Sequence, residues 1–174
     1  MSVHYLETSA LLSVALEGNK ALSAALASAR ELEKGPLGAV DLRELRLLLG
    51  RALLLNSADF PRAKFLFDDI FRNSLDFGHL AEVSTWFLMA RDGKTAEVRQ
   101  NAREAFARLL ENARGDFMTR LWLFYDAYVY GRTMEMTGDR FEAERGYRAC
   151  IDANPYTELA ARSRLRLSSS RKVD

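Results

Sequence analysis

Few residues of this chain have the types and spacing that chemistry requires. Gly93-Lys94-Thr95 has the form of the end of a phosphate-binding loop, in which backbone amides and the lysine hold phosphate. That motif needs a glycine five residues before Gly93, where Leu88 stands, and a strand leading into the loop. A helical pattern leads in instead, so the segment is interpreted as a turn in which Thr95 caps the next helix.

Two further candidates concern metal binding and nucleophilic catalysis. His79 and Glu82 lie one helical turn apart, but the only other histidine is His4, and one pair supplies too few ligands for a metal site. A nucleophilic thiol needs an adjacent base, and both histidines are remote in sequence from Cys150, the single cysteine. Cys150 is therefore predicted to pack as a small apolar residue. The sequence predicts no catalytic residue, cofactor or metal.

The composition is that of an ordinary globular protein. Of the 174 residues, 48% are hydrophobic and 28% are charged, and the net charge of +1 gives no overall field that would attract nucleic acid or a membrane surface. No apolar run approaches the roughly 20 residues of a membrane-spanning helix, and the N-terminus lacks the layout of a signal peptide. We expect a soluble, cytoplasmic protein with one domain over residues 1–168 and a disordered tail over 169–174.

Apolar residues recur with helical spacing along the chain and no stretch alternates with period two, so the sequence predicts helices only. The predicted helices cover residues 4–17, 20–34, 40–56, 60–73, 79–91, 95–113, 118–137, 140–153 and 155–167. Asp139, with Glu142 three residues later, is a variant of the capping box. Asn154 followed by Pro155 predicts the N-cap and the first residue of the last helix.

A repeat runs through the second helix of each predicted pair. An alanine is followed four residues later by an aromatic residue in three copies: Ala63 with Phe67, Ala102 with Phe106, and Ala143 with Tyr147. A weaker copy starts at Ala24, and the four alanines are 39, 39 and 41 residues apart. Such an interval indicates stacked two-helix units, in which the alanine lets paired helices approach and the aromatic ring fills the gap toward the next unit.

The last complete unit carries a family resemblance. Tyr130-Gly131, the turn Gly138-Asp139 and the closing Pro155 match a tetratricopeptide repeat, although Ala127 stands where that family has tryptophan. An earlier unit resembles the same repeat through Leu49-Gly50. The resemblance implies an all-α, right-handed superhelical solenoid of four helix-turn-helix hairpins plus a C-terminal capping helix. The interval of 39 to 41 residues exceeds the family's usual period of about 34, so longer hairpins are implied.

The resemblance also implies a function, namely a non-enzymatic scaffold that binds a peptide or a protein surface in a concave groove. The positions that would line the groove are Tyr125, Tyr128, Arg132 and Glu135 in the last unit, and Leu47 and Arg51 in the earlier one. Aromatic rings beside arginine are typical of binding hot spots. Core packing is the alternative for the two tyrosines, whereas the two arginines are expected to be accessible because an unpaired arginine is rarely buried.

Other functions stay open at this point. A regulatory or docking module of a larger enzyme or lipoprotein assembly would have the same sequence features. Self-association is a further hypothesis, because the ends of a solenoid expose apolar surface. A helical enzyme would need a pocket with two coupled ionisable groups, and the sequence shows no such pair. The basic C-terminal helix with Arg162, Arg164 and Arg166 is interpreted as a solvated face, so no nucleic-acid partner is expected.

Overall fold

The computed structural model describes residues 8–9, 11–12, 14–16, 19–35, 39–56, 59–74, 77–93 and 95–170. These residues form eight continuous helices and no strand, which confirms the prediction of an all-α protein. The helices are α1 (Asn19–Glu33), α2 (Ala39–Asn56), α3 (Phe60–Asn73), α4 (Gly78–Asp92), α5 (Ala96–Asn112), α6 (Phe117–Met136), α7 (Arg140–Ala153) and α8 (Glu158–Ser170).

The predicted boundaries of α1 to α7 are within one residue of the observed ones. The predicted helix over residues 4–17 falls largely outside the described residues, and its described positions 8–9, 11–12 and 14–15 are helical. The tail predicted over 169–174 begins too early, because α8 extends to Ser170, while residues 171–174 lie outside the described part of the chain.

The start of the last helix differs from the prediction. Asn154 is the C-cap of α7, and its N–H bonds the Cys150 carbonyl at 3.3 Å. Thr157 Oγ1 accepts the N–H of Ala160 at 3.1 Å, so Thr157 caps α8. Pro155 lies in the turn between the two caps. The prediction that Pro155 is the first residue of the helix is therefore wrong, because Asn154 ends α7 and Thr157 caps α8.

The chain divides into two compact units, residues 1–85 and 86–174, and the boundary falls inside α4. In the first unit, α2 packs against α1 and, more extensively, against α3. Gly50 of α2 lies under the ring of Phe67 from α3, where a Cβ atom on the glycine would be 2.5 Å from Phe67 Cε1. Ala63 and Phe67 are both fully buried, as the repeat predicts for these positions.

The same contact occurs in the second unit between α6 and α7. A Cβ atom on Gly131 would be 2.8 Å from Tyr147 Cδ1, and one on Gly146 would be 2.6 Å from the Gly131 backbone nitrogen. Helices can approach this closely only where the side chain is a hydrogen atom. The turn between them places Gly138 at φ +81°, a conformation that favours glycine, and Asp139 Oδ1 accepts the N–H of Glu142 at 3.2 Å.

Aromatic rings join α5 to α6 in the second unit. Phe106 is fully buried and stacks on Tyr130, with ring centroids 3.9 Å apart and planes 14° apart. This contact agrees with the prediction that the aromatic residue of one pair fills the gap toward the next. The last helix, α8, packs against both α6 and α7 through Leu159, Ala160 and Ser163.

The weak copy of the repeat in α1 has a different register from the one predicted. Ala24 is exposed, whereas Ala25, Ala29 and Leu32 are buried. The buried stripe therefore starts one residue later, because the helix turns the adjacent alanine toward α2. In an alanine-rich segment several small residues are equivalent in the sequence, so the packing of the neighbouring helix determines which of them is buried.

Candidate functional site

The residues that could contact a partner centre on Glu135, in the last turn of α6. Glu135 Oε2 accepts three hydrogen bonds, from Arg132 Nη1 at 2.7 Å, the Tyr147 hydroxyl at 2.9 Å and Arg166 Nη1 at 2.8 Å. These donors come from α6, α7 and α8, so one carboxylate connects three helices. The negative charge of the acceptor makes each of these bonds stronger than a neutral one.

A cavity of about 260 Å³ lies beside this carboxylate and is called here the Glu135 pocket. Its lining comprises Glu135, Gly138, Arg140, Ala143, Glu144, Tyr147, Arg166 and Ser170. Two arginines and two glutamates thus surround a small space. A lining with both signs of charge can orient a partner that carries polar groups of both signs.

The local sequence explains why these groups meet. The turn at Gly138 reverses the chain, and the close approach of Gly131 and Gly146 draws α7 onto α6. This approach brings the Tyr147 hydroxyl to the Glu135 carboxylate at 2.9 Å. Burial of Leu159, Ala160 and Ser163 fixes α8 in turn, so that Arg166 reaches the same oxygen.

The electrostatics keep Tyr147 as a hydrogen-bond donor. Burial raises the pKa of the Tyr147 phenol above its ordinary value, and the negative charge of Glu135 raises it further. The phenol therefore keeps its proton at neutral pH and donates to Glu135. The side chain of Arg132 is 10% exposed and that of Glu135 is 38% exposed, so the carboxylate is the more accessible member of this pair.

Of the predicted groove residues, the structure brings Arg132 and Glu135 together at the Glu135 pocket. Tyr125 and Tyr128 are buried, at 3% and 0% exposure. Tyr128 packs near Tyr147 with ring centroids 6.0 Å apart, and Tyr125 meets the edge of Trp122 at 5.9 Å. These positions agree with core packing, the alternative to partner contact, so neither tyrosine is assigned to the pocket.

The two groove residues predicted in the first unit are also buried. Leu47 and Arg51 are both 0% exposed, and Arg51 Nε donates to the Ser84 hydroxyl at 3.3 Å. Arg132 is buried too, at 8%. The expectation that both arginines would be accessible is wrong, because each is held by partners inside the fold. Leu47 and Arg51 therefore have no surface with which to contact a partner.

Of the eight residues that line the pocket, sequence reasoning named only Glu135 as a partner contact, and the charged or hydroxyl-bearing residues that it missed are Arg140, Glu144, Tyr147, Arg166 and Ser170. The repeat identifies Tyr147 as an aromatic packing residue, but a role for its hydroxyl follows only from the contact with Glu135. Arg166 was interpreted as part of a solvated helix face. It lies 31 residues from Glu135 in sequence, and that distance is bridged only by the packing of α8.

The other chemical candidates are the single cysteine, the loop-like motif and the His79–Glu82 pair. Cys150 is fully buried, and burial raises the pKa of its thiol to about 11, so a reactive thiolate is disfavoured. Thr95 Oγ1 accepts the N–H of Val98 at 3.3 Å, which confirms Thr95 as a helix cap. Lys94 of the loop-like motif lies outside the described residues. His79 is partly buried and Glu82 is exposed, and within the described ranges no group of three His, Cys, Asp or Glu residues is placed to hold a metal ion.

Comparison with known proteins gives no match: no family model fits the chain, and neither a curated protein nor a solved structure is similar to it. Over the described residues, no helix combines the length and apolar character needed to cross a bilayer.

Proposed function

We propose that this chain is a non-enzymatic protein-interaction module that binds a peptide or a protein surface at the Glu135 pocket. The observation that carries the proposal is the Glu135 carboxylate, which accepts donors from three helices at the edge of an open cavity of about 260 Å³. A partly exposed charge cluster fixed by three helices offers a partner preorganised polar contacts, which lowers the entropic cost of binding.

The proposed architecture is a right-handed helical-repeat solenoid whose concave face carries this pocket. Two observations support it. The glycine–aromatic contact of Gly50 with Phe67 recurs as Gly131 with Tyr147, in hairpins at equivalent places of the repeat. In addition, α8 packs against both helices of the preceding hairpin, as the first helix of another unit would.

The lining indicates the kind of partner segment that fits. Arg140 and Arg166 offer charged donors, Glu135 and Glu144 offer acceptors, and Ala143 contributes a small apolar wall. A partner side chain with an apolar stem and a polar end matches this lining better than a wholly apolar one. Of the two arginines that donate to Glu135, Arg166 is the more accessible to a partner, because its side chain is 27% exposed against 10% for Arg132.

The test is capture of partners by the full chain from an extract of the source organism, with variants that fill or recharge the pocket. Ser170→Trp places a ring in the lining, and Ser168→Trp is the matched control because it lies on the exposed surface of the same helix. Arg166→Glu reverses a lining charge, and Arg108→Glu makes the same change at an exposed position on α5.

We expect Ser170→Trp and Arg166→Glu to lower the amount of captured partner by about tenfold or more, as loss of a hot-spot contact does. Ser168→Trp and Arg108→Glu should capture as well as the unmodified chain. Thermal unfolding confirms that each variant is folded. Equal capture by all four variants would show that the partner does not bind at this pocket.

A further inference from the structure

A second cavity of the 86–174 unit has a different character from the Glu135 pocket. It is a groove of about 580 Å³ between α5, α6 and α7, more than twice as large. Its apolar lining consists of Leu110, Leu123, Phe141, Ala149 and Ala153. From Phe141 to Ala153 it follows α7 for about 18 Å, since a helix rises 1.5 Å per residue.

The groove leaves apolar surface open to solvent. Phe141 is 78% exposed, and together with the apolar lining of the groove it forms an apolar surface suited to contact with another molecule. This surface does not include the Glu135 pocket, although Glu144 borders both cavities.

The charges of the groove are balanced at all but one position among the described residues. Arg145 pairs with Glu142 at 3.2 Å, and Arg148 pairs with Glu144 at 3.2 Å. Asp152 lines the groove, is exposed, and has no ion-pair partner in the described part of the chain. The occupant of the groove should therefore bring apolar side chains and a positive charge.

The same unit carries a surface with these properties at the start of α6. Phe117 and Leu121 lie one helical turn apart and are 64% and 52% exposed, so they form an apolar ridge. Arg120 flanks the ridge, is exposed, and makes no ion pair with any described residue. An apolar pair with an adjacent unpaired cation complements an apolar groove with an unpaired carboxylate.

We propose that the groove of one copy receives the Phe117–Leu121 ridge of a second copy, with Arg120 of one chain facing Asp152 of the other. Every copy presents both surfaces, so each contact can form without any other partner. Of the residues that line the Glu135 pocket, only Glu144 would also border this contact.

The test is the oligomeric state of the full chain by sedimentation equilibrium and light scattering, in a dilution series reaching about 1 mM, where weak association is populated. Leu121→Ser removes apolar area from the ridge and should weaken self-association by about tenfold. Leu165→Ser is the matched control: Leu165 is 67% exposed but lies on α8, away from the ridge and groove.

A charge exchange tests the pairing itself. Arg120→Asp and Asp152→Arg should each weaken association, and the double variant should restore it, because the pair is rebuilt with reversed signs. Both single changes suit their helices, since a negative charge favours the first turn of α6 and a positive charge the last turn of α7. Neither change should therefore destabilise its helix.

A chain that stays monomeric across the series would overturn the proposal. So would association that Leu121→Ser and Leu165→Ser affect equally. If the double variant associated no better than either single variant, Arg120 and Asp152 would not face each other and the assignment of ridge to groove would be wrong.

Discussion

Replacing Gly146 by alanine tests how closely α6 and α7 approach. A Cβ atom at this position would be 2.6 Å from the Gly131 nitrogen, 2.7 Å from its Cα and 2.9 Å from the Ala127 carbonyl oxygen. All three are backbone atoms of α6 and cannot rotate away. The methyl group can be accommodated only if the two helices move apart.

The cost follows from the separation required. Ordinary contact begins near 3.4 Å, so the 2.6 Å contact has to lengthen by about 0.8 Å. A gap of that size removes about a quarter to a half of the dispersion energy of the atoms that line it, and overpacking costs about 1–3 kcal/mol or more. Replacing glycine by alanine in a helix interior stabilises the helix by about 1 kcal/mol, which offsets part of this cost. The difference between these two effects is that Gly146→Ala should lower the free energy of unfolding by up to about 2 kcal/mol.

Denaturant unfolding followed by tryptophan fluorescence measures this change. Trp86 and Trp122, the two tryptophans of the chain, both belong to the 86–174 unit, so the signal reports the unit that holds α6 and α7. Gly115→Ala is the control, because nothing lies within 4 Å of the position that its methyl group would take. It should be neutral or stabilise by up to about 1 kcal/mol.

A double-mutant cycle separates the ring contact from the backbone contact. The nearest atoms to a Cβ on Gly131 are those of the Tyr147 ring, at 2.8 Å. Gly131→Ala should therefore cost less in a Tyr147→Ala background, with a coupling of about 1 kcal/mol or more. If Gly146→Ala were as stable as Gly115→Ala, or if the cycle were additive, the close approach of α6 and α7 would be refuted.

Three further predictions concern buried and capping groups. Burial raises the pKa of the Cys150 thiol to about 11, so the folded state holds this proton more tightly than the unfolded chain. The resulting contribution to the free energy of unfolding is complete below pH of about 8.5 and falls as the pH rises toward 11. Cys150→Ala should therefore reduce the loss of stability over this pH range in unfolding titrations. Tyr130→Phe removes the hydrogen bond to the buried Glu142 carboxylate at 2.5 Å and should cost about 1–3 kcal/mol in the fluorescence assay, while an unchanged midpoint would contradict this bond. Thr157→Ala should cost about 1 kcal/mol and speed hydrogen exchange at Ala160, and a larger effect from Asn154→Ala would show that the cap is assigned to the wrong residue.

The helices could be predicted from the sequence because their signals are local. Apolar spacing and the residues at the breaks depend on neighbours within one or two turns, so seven helices match closely. The start of α8 was missed where two local signals compete: proline after Asn154 favours an early start, and Thr157 caps a later one. The register in α1 was missed because Ala24 and Ala25 are equivalent until a partner helix is present.

The residues of the proposed binding surface were harder to predict, because the exposure of a side chain depends on distant segments. Helical spacing predicts that Arg132 and Glu135 share a face of α6, and the two side chains are hydrogen-bonded. Helix α8 packs next to that face and brings Arg166 to Glu135. The same spacing placed Arg51 on a face that is buried beside Ser84. A sequence pattern identifies which residues share a face, but not whether another element covers that face.

The steric contacts inside the two hairpins limit where function can vary. Each hairpin depends on a close contact between a glycine and an aromatic ring, Gly50 with Phe67 and Gly131 with Tyr147. A substitution at either glycine therefore disturbs the packing of the helices themselves. The charged residues around the Glu135 pocket are not under that constraint. Arg166 can be reversed without filling a buried space, since its side chain is 27% exposed. Loss of partner binding in Arg166→Glu, in a chain whose α6–α7 packing is unchanged by fluorescence, would therefore identify the pocket as the part of the fold that selects the partner.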